Sequence, residues 1–153
     1  METFKRIKVG DEYVSTTSIS NKELEEYLGF SRIKNAMFEI DSGKNEPKMI
    51  SGRAIIARME GEFTRLRQIY GNQIVLYGID GDSEWNNRQT RFLKPLYTDE
   101  VIRIKYKISD KKELDEEFGL ISVDFEATTE DGETILSSKR NLYRIKIEPP
   151  SNR

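Results

Sequence analysis

The chain contains no histidine and no cysteine in 153 residues. Without cysteine there can be no disulfide, no thiolate metal site and no Cys nucleophile. Without histidine, the commonest general base and metal ligand near neutral pH is missing too. Any chemistry must rest on carboxylates, Tyr, Lys, Ser or backbone amides. A charge excess is also lacking, since 25 basic residues face 27 acidic ones for a net charge of −2. Proteins that grip a phosphate backbone carry a clear basic excess, so nucleic acid is not an expected partner. No apolar run approaches the ~20 residues that span a bilayer. The opening Met1-Glu2-Thr3-Phe4-Lys5-Arg6 has no apolar h-region. No membrane association is expected, and the expected compartment is the cytoplasm. A Gly-rich phosphate loop, a nucleophile elbow and a metal-ligand cluster are all absent from the sequence, so no metal is expected.

What is there reads as one α+β domain over residues 1–148, followed by a flexible tail, 149–153. Residues 1–10 are basic and loosely strand-like, ending in the turn signal Val9-Gly10-Asp11. Tyr13 to Ile19 is rich in β-branched and aromatic residues and predicts a strand. Ser20 followed three residues later by Glu23 forms a capping box for a short helix. Leu24, Tyr27 and Leu28 share one face of that helix, and Gly29 stops it. A loop marked by Gly43, Asn45 and Pro47 follows. Ser51 to Tyr70 carries the longest helical pattern, about 30 Å at 1.5 Å per residue. Its apolar stripe is Ile55, Ile56, Met59, Phe63, Leu66 and Ile69. Gly61, in mid-helix, costs roughly 1 kcal/mol there unless another backbone packs closely. Gly71 ends the helix.

Antiparallel strands are expected afterwards, at Ile74 to Ile79, Gln89 to Leu93 and Ile102 to Ile108, then from Ile121 to Ala127. Asp131-Gly132 turns the chain back into Ile135 to Ile147. One long helix then lies against a twisted sheet of five or six strands. A single helix covers only one sheet face, so the other must meet solvent or a second copy of the chain. A homodimer is expected on that ground.

Val9-Gly10-Asp11-Glu12 with the helix from Ser20 to Gly29, and Arg91-Phe92-Leu93-Lys94-Pro95-Leu96 with Asp99 and Val101, resemble the MaoC-like acyl-thioester dehydratases and hydratases. The resemblance covers roughly Val9 to Ile147, with Thr98 where the family has Gly. It implies a single hot-dog domain, a long central helix wrapped by an antiparallel β-sheet. It also implies an acyl-thioester ligand, with coenzyme A or acyl carrier protein as its handle, and either a homodimer or a hetero-oligomer with another hot-dog chain. Coenzyme A would be part of the ligand, and no separate cofactor is implied.

The catalytic signature is where the chain departs from the family. The family's Asp and His fall at Ile33 and Phe38 when the segment is aligned on Asn35, and the family's His-Gly at the long helix appears as Ser51-Gly52. With no histidine anywhere, the hydratase dyad is absent in any register. Carried over from the family, Gly52 would offer its amide to the thioester carbonyl, a role suited to a helix start with its unpaired N–H groups. The plainer reading makes Gly52 a packing glycine and Ser51 an ordinary N-cap. Ile33 and Phe38 are either core or the lining of a pocket that has lost its acid–base pair, and Asn35 either meets the ligand or supports its own turn. Glu39, Asp41, Glu60 and Glu62 are the conceivable replacement bases, and charges on a helix are more simply a solvated face. Arg53, Arg58, Arg65 and Arg67, or Arg88 and Arg91 beside Trp85, could grip coenzyme A phosphates.

Three functions remain open on these residues. The leading one is a degenerate hydratase that binds acyl-thioesters. The others are an active dehydratase or thioesterase using Glu60 or Glu62, and a non-catalytic subunit of a larger assembly.

Overall fold

The structure is a computed structural model that describes residues 1–36, 46–76 and 89–148. Alternation decides the sheet. In β4 (Ile102–Glu113), Ile102, Ile104, Tyr106 and Ile108 are fully buried while Arg103, Lys105 and Lys107 face out. β5 (Phe118–Thr129) and β6 (Thr134–Lys146) run antiparallel to it, joined by a hairpin in which Gly132 takes a φ of +83°. That left-handed conformation is what the Asp131-Gly132 turn demands. β1 (Glu12–Thr17) pairs with β4, while β2 (Ile74–Val75) and β3 (Gln89–Phe92) both pair with β6. The described strands make one six-stranded antiparallel sheet in the order β1-β4-β5-β6-β2, with β3 also on β6.

α1 (Asn21–Ser31) begins as its capping box dictates, with both reciprocal Ser20–Glu23 bonds present. It does not stop at Gly29. The helix continues to Ser31 and closes on Arg32, which takes the left-handed conformation at φ 60°. α2 (Gly52–Arg65) is the central helix, about 21 Å long at 1.5 Å per residue, shorter than the period suggested. Leu66 turns extended at ψ 138°, and a chain of turns then carries buried Ile69 to Gly71. The apolar spacing survives in those turns, which is why the periodic pattern overran the helix.

α2 sits in the concave face of the sheet. Ala54, Ile55, Met59 and Phe63 are buried there. The Phe63 ring lies 5.4 Å from that of Tyr106, 6.2 Å from Phe125 and 5.9 Å from Tyr143. Residues 1–10 form no strand. They make a single helical turn, with Arg6 and Ile7 amides on the Thr3 carbonyl, that buries Phe4 and Ile7 against the far end of the wrap. The Lys111 ammonium donates to the carbonyls of Phe4 and Ile7 at 2.6 and 2.8 Å.

The outer sheet face is built for water. Lys105 stands opposite Glu126 and Lys107 opposite Asp124, while Lys105 also pairs with Glu12 at 3.2 Å. Opposite charges across strands stabilise a solvated face. Of the two covers the sequence allowed for this face, solvent suits these charged pairs.

Candidate functional site

The start of α2 is held by the segment after β3. Ile50 donates its amide to the Leu96 carbonyl at 2.8 Å, and Thr98 to Lys48 at 2.8 Å. Met49 and Tyr97 form a bridge, and buried Thr98 accepts the Lys48 amide on its hydroxyl at 2.9 Å. Thr98 thus ties the two segments together through its side chain. Between them lies a cavity of about 630 Å³, lined by Ile33, Met49 to Arg53, Ile55 and Phe92 to Leu96. Its size falls in the range of small-molecule pockets.

The walls are apolar, supplied chiefly by Ile33, Ile50, Ile55, Leu93 and Leu96. The polar contribution comes from the helix start and two cations. Ser51 makes no side-chain capping bond, so it is not the ordinary N-cap the sequence allowed. Among the described residues the amides of Gly52 and Arg53 have no acceptor, and they point the positive end of the helix dipole outward. Arg53 is exposed at the rim, and Lys94 pairs with Glu133 at 2.5 Å. No carboxylate lines the cavity among the described residues.

Gly52 is also a packing glycine. A β-carbon there would lie 2.6 Å from Cε1 and 2.7 Å from Cζ of Phe92. The packing reading of this residue therefore has a contact behind it.

Of the residues singled out by sequence, Ile33, Ser51 and Gly52 come together around this cavity. Asn35 is exposed on the stretch after α1 and does not line it. Phe38, Glu39, Asp41, Trp85 and Arg88 lie outside the described residues. Glu60 and Glu62 are both away from the cavity lining. Glu60 is eight residues from Gly52, about 12 Å along the helix, and accepts the Tyr143 hydroxyl at 2.6 Å. Glu62 faces the opposite flank, accepting the hydroxyls of Ser15 at 3.2 Å and Thr17 at 3.4 Å. Arg58, one turn before it, pairs with Glu23 and donates to Thr17 and the Ser18 carbonyl. Arg58 is committed to joining α2, β1 and α1. With Arg65 these groups border a second cavity, about 580 Å³, between the two helices.

Sequence reasoning did not name Phe92, Leu93, Lys94, Pro95 and Leu96 as site residues, although it quoted them as a structural signature. The signal was the placement of an apolar pair, Phe92-Leu93, at a strand end just before proline.

No family model matches the sequence, and no curated protein sequence matches it. Solved structures do. A monoamine oxidase regulatory protein from Archaeoglobus fulgidus superposes with a TM-score of 0.70 at 14% identity, over 97% of this chain and 95% of that one. The R-hydratase PhaJ1 from Pseudomonas aeruginosa gives 0.65 at 12% identity, over 97% and 86%. A MaoC-like dehydratase from Rhodospirillum rubrum gives 0.65 at 9% identity, over 97% and 99%. The chain has the hot-dog fold. The hot-dog architecture inferred from the sequence is correct, in the form these hydratase and dehydratase structures share. Among the described residues of this hot-dog domain, no helix is long and apolar enough to cross a membrane.

Proposed function

We propose that this hot-dog protein binds acyl-thioesters, carried on coenzyme A or acyl carrier protein, in the cavity at the start of α2, without the Asp/His hydratase reaction. The observation that carries the proposal is the make-up of that cavity. Apolar walls suit an acyl chain, and the Gly52 and Arg53 amides suit a thioester carbonyl oxygen. Arg53 and Lys94 at the rim suit the phosphate of the handle. The hot-dog fold supports the same reading, since its neighbours include hydratases and a thioesterase solved with coenzyme A. The absence of histidine from the chain, and of a carboxylate from the cavity among the described residues, supports binding without the Asp/His reaction.

A second reading makes the chain a subunit of a hetero-oligomer. It is favoured by the missing histidine, and by a hot-dog neighbour that is the HadBC dehydratase complex of Mycobacterium tuberculosis. Co-purification with a His-containing hot-dog chain would support it.

The direct test is a melting scan with acyl-CoA. At about 100 times its Kd a ligand specific for the folded state adds about 2.7 kcal/mol, a shift of roughly 5–10 °C for a domain of this size. Ile33→Asp, which places a carboxylate in the apolar wall, and Arg53→Glu should each reduce the shift. Acetate should give none. No shift with any acyl-CoA across several chain lengths, or equal shifts in wild type and both variants, would refute binding at this cavity.

A further inference from the structure

The Phe92 ring is seated on the residue whose amide the ligand would need. It closes over Gly52, with Cε1 and Cζ at 2.6 and 2.7 Å from where a β-carbon would be. The backbone of Gly52 does not call for glycine, because its φ is not among the positive values of the chain. Space for the ring is what the missing side chain supplies. Phe92 itself is held lightly. It is the last residue of a four-residue strand that pairs with β6 alone, and the residue is 49% exposed where it borders the cavity. A half-exposed ring can leave its seat by rotating about its own side-chain bonds, with no break in the sheet.

Resting on the acyl-thioester reading, we infer that Phe92 is the gating residue of the site. Its ring rests on Gly52 and swings off it to admit the thioester carbonyl. While the ring is seated, the space beside Gly52 is filled by an apolar group. Ligand binding must displace it, so the measured affinity is the intrinsic affinity reduced by the fraction of molecules with the ring out. Gly52 and Phe92 then act as one unit, the glycine being the seat of the gate.

The experiment is titration calorimetry with butyryl-CoA and with coenzyme A alone, on wild type, Phe92→Ala, Gly52→Ala and the double variant. A methyl group at residue 52 forces the ring out, so Gly52→Ala mimics Phe92→Ala. Each single variant is expected to bind butyryl-CoA about fivefold tighter or more, and the double variant no tighter than either. Affinity for coenzyme A alone, which has no acyl carbonyl to place, should be unchanged. Phe92→Leu, which keeps apolar bulk on the strand, should tighten binding too, and it serves if Phe92→Ala does not fold. Binding seen only in the variants would equally support the gate. If wild type binds and Phe92→Ala, or Phe92→Leu in its place, binds no tighter, the gate is wrong and the acyl-thioester reading stands. Multiplying effects in the double variant would also overturn the gate. Absence of binding in every protein would remove both.

Discussion

Tyr106 of β4 donates its hydroxyl to the backbone carbonyl of Met59 at 2.7 Å, so the sheet holds the central helix by a hydrogen bond as well as by packing. Burial, then the nearby Glu62 charge, pushes the Tyr106 ionisation well above its ordinary value of 10.0. The folded state therefore favours the neutral phenol. That contribution is complete below pH 10 and is lost as pH rises toward the folded-state value. Tyr13, buried and donating to Glu2 at 3.0 Å, is shifted the same way. Stability should fall above pH 10, with phenolate absorbance rising together with loss of circular dichroism. Tyr106→Phe should cost about 1 kcal/mol at neutral pH and flatten the alkaline slope. An unchanged slope in that variant would show that other groups set it.

At the acid end, the first turn of α1 is the place to look. The Ser20 backbone amide holds the Glu23 carboxyl below its ordinary value, and the Arg58 guanidinium adds to this. The folded state favours the carboxylate, so its contribution is present above about pH 4.5 and is lost as pH falls through the lowered value. Denaturant midpoints of wild type and Glu23→Gln should therefore converge as the pH is lowered. Parallel curves would mean that the pair contributes nothing.

Gly61 should respond favourably to a side chain. A β-carbon there would meet nothing within 4 Å, and the residue is interior to α2. Gly61→Ala is expected to raise stability by about 0.5–1 kcal/mol, through helix propensity and a less flexible unfolded chain. The mid-helix glycine looked from sequence like a site of close backbone packing, and the open space beside it gives no such reason. A destabilised variant would mean that a neighbour fills that space in solution.

Gly119 should behave in the opposite way. Its β-carbon would fall 2.3 Å from the ring of Phe4, which is only 2% exposed. Gly119→Ala is expected to cost about 1–3 kcal/mol by overpacking. Phe4→Ala should cost about 3–5 kcal/mol by leaving a cavity. Because each change relieves the other's strain, the double variant should lose less than the sum. Simple additivity in urea midpoints would show that the two residues do not meet.

Enoyl-CoA hydration should be at background. Removing a positioned acid–base group costs ~10²–10⁴ in rate, and this chain has neither the Asp nor the His at those positions. A kcat/KM in the ordinary enzyme range of ~10⁴–10⁸ M⁻¹s⁻¹ would contradict this. Loss of that turnover in Glu60→Gln or Glu62→Gln would then identify the base.

The sheet and the helix starts were legible because each rests on a local rule. β4 alternates strictly, Asp131-Gly132 fits its turn, and Ser20 with Glu23 caps α1 within one turn. What the sequence could not announce depends on partners distant in the chain. Phe4 and Ile7 look like strand residues until Lys111 is seen capping their carbonyls. Gly29 looks like a stop, yet Arg32 takes the left-handed position instead. At the site, Ser51-Gly52 and Ile33 could be picked out beforehand, through the resemblance. Phe92 could not, since its importance lies in a contact across 40 residues with a glycine whose own backbone is ordinary.

The tie between residues 1–10 and the far strands also sets an order for biosynthesis. Phe4 lies 107 residues before Lys111, the lysine that holds its carbonyl, and Gly119 is synthesised later still. While β1 and both described helices leave the ribosome, Glu2 can already meet Gln68 and Asn72, but Phe4 and Ile7 still lack Lys111 and Gly119. On that side the two side chains stay uncovered until β5 has been made. A nascent protein stalled before β5 would therefore present those two side chains to chaperones.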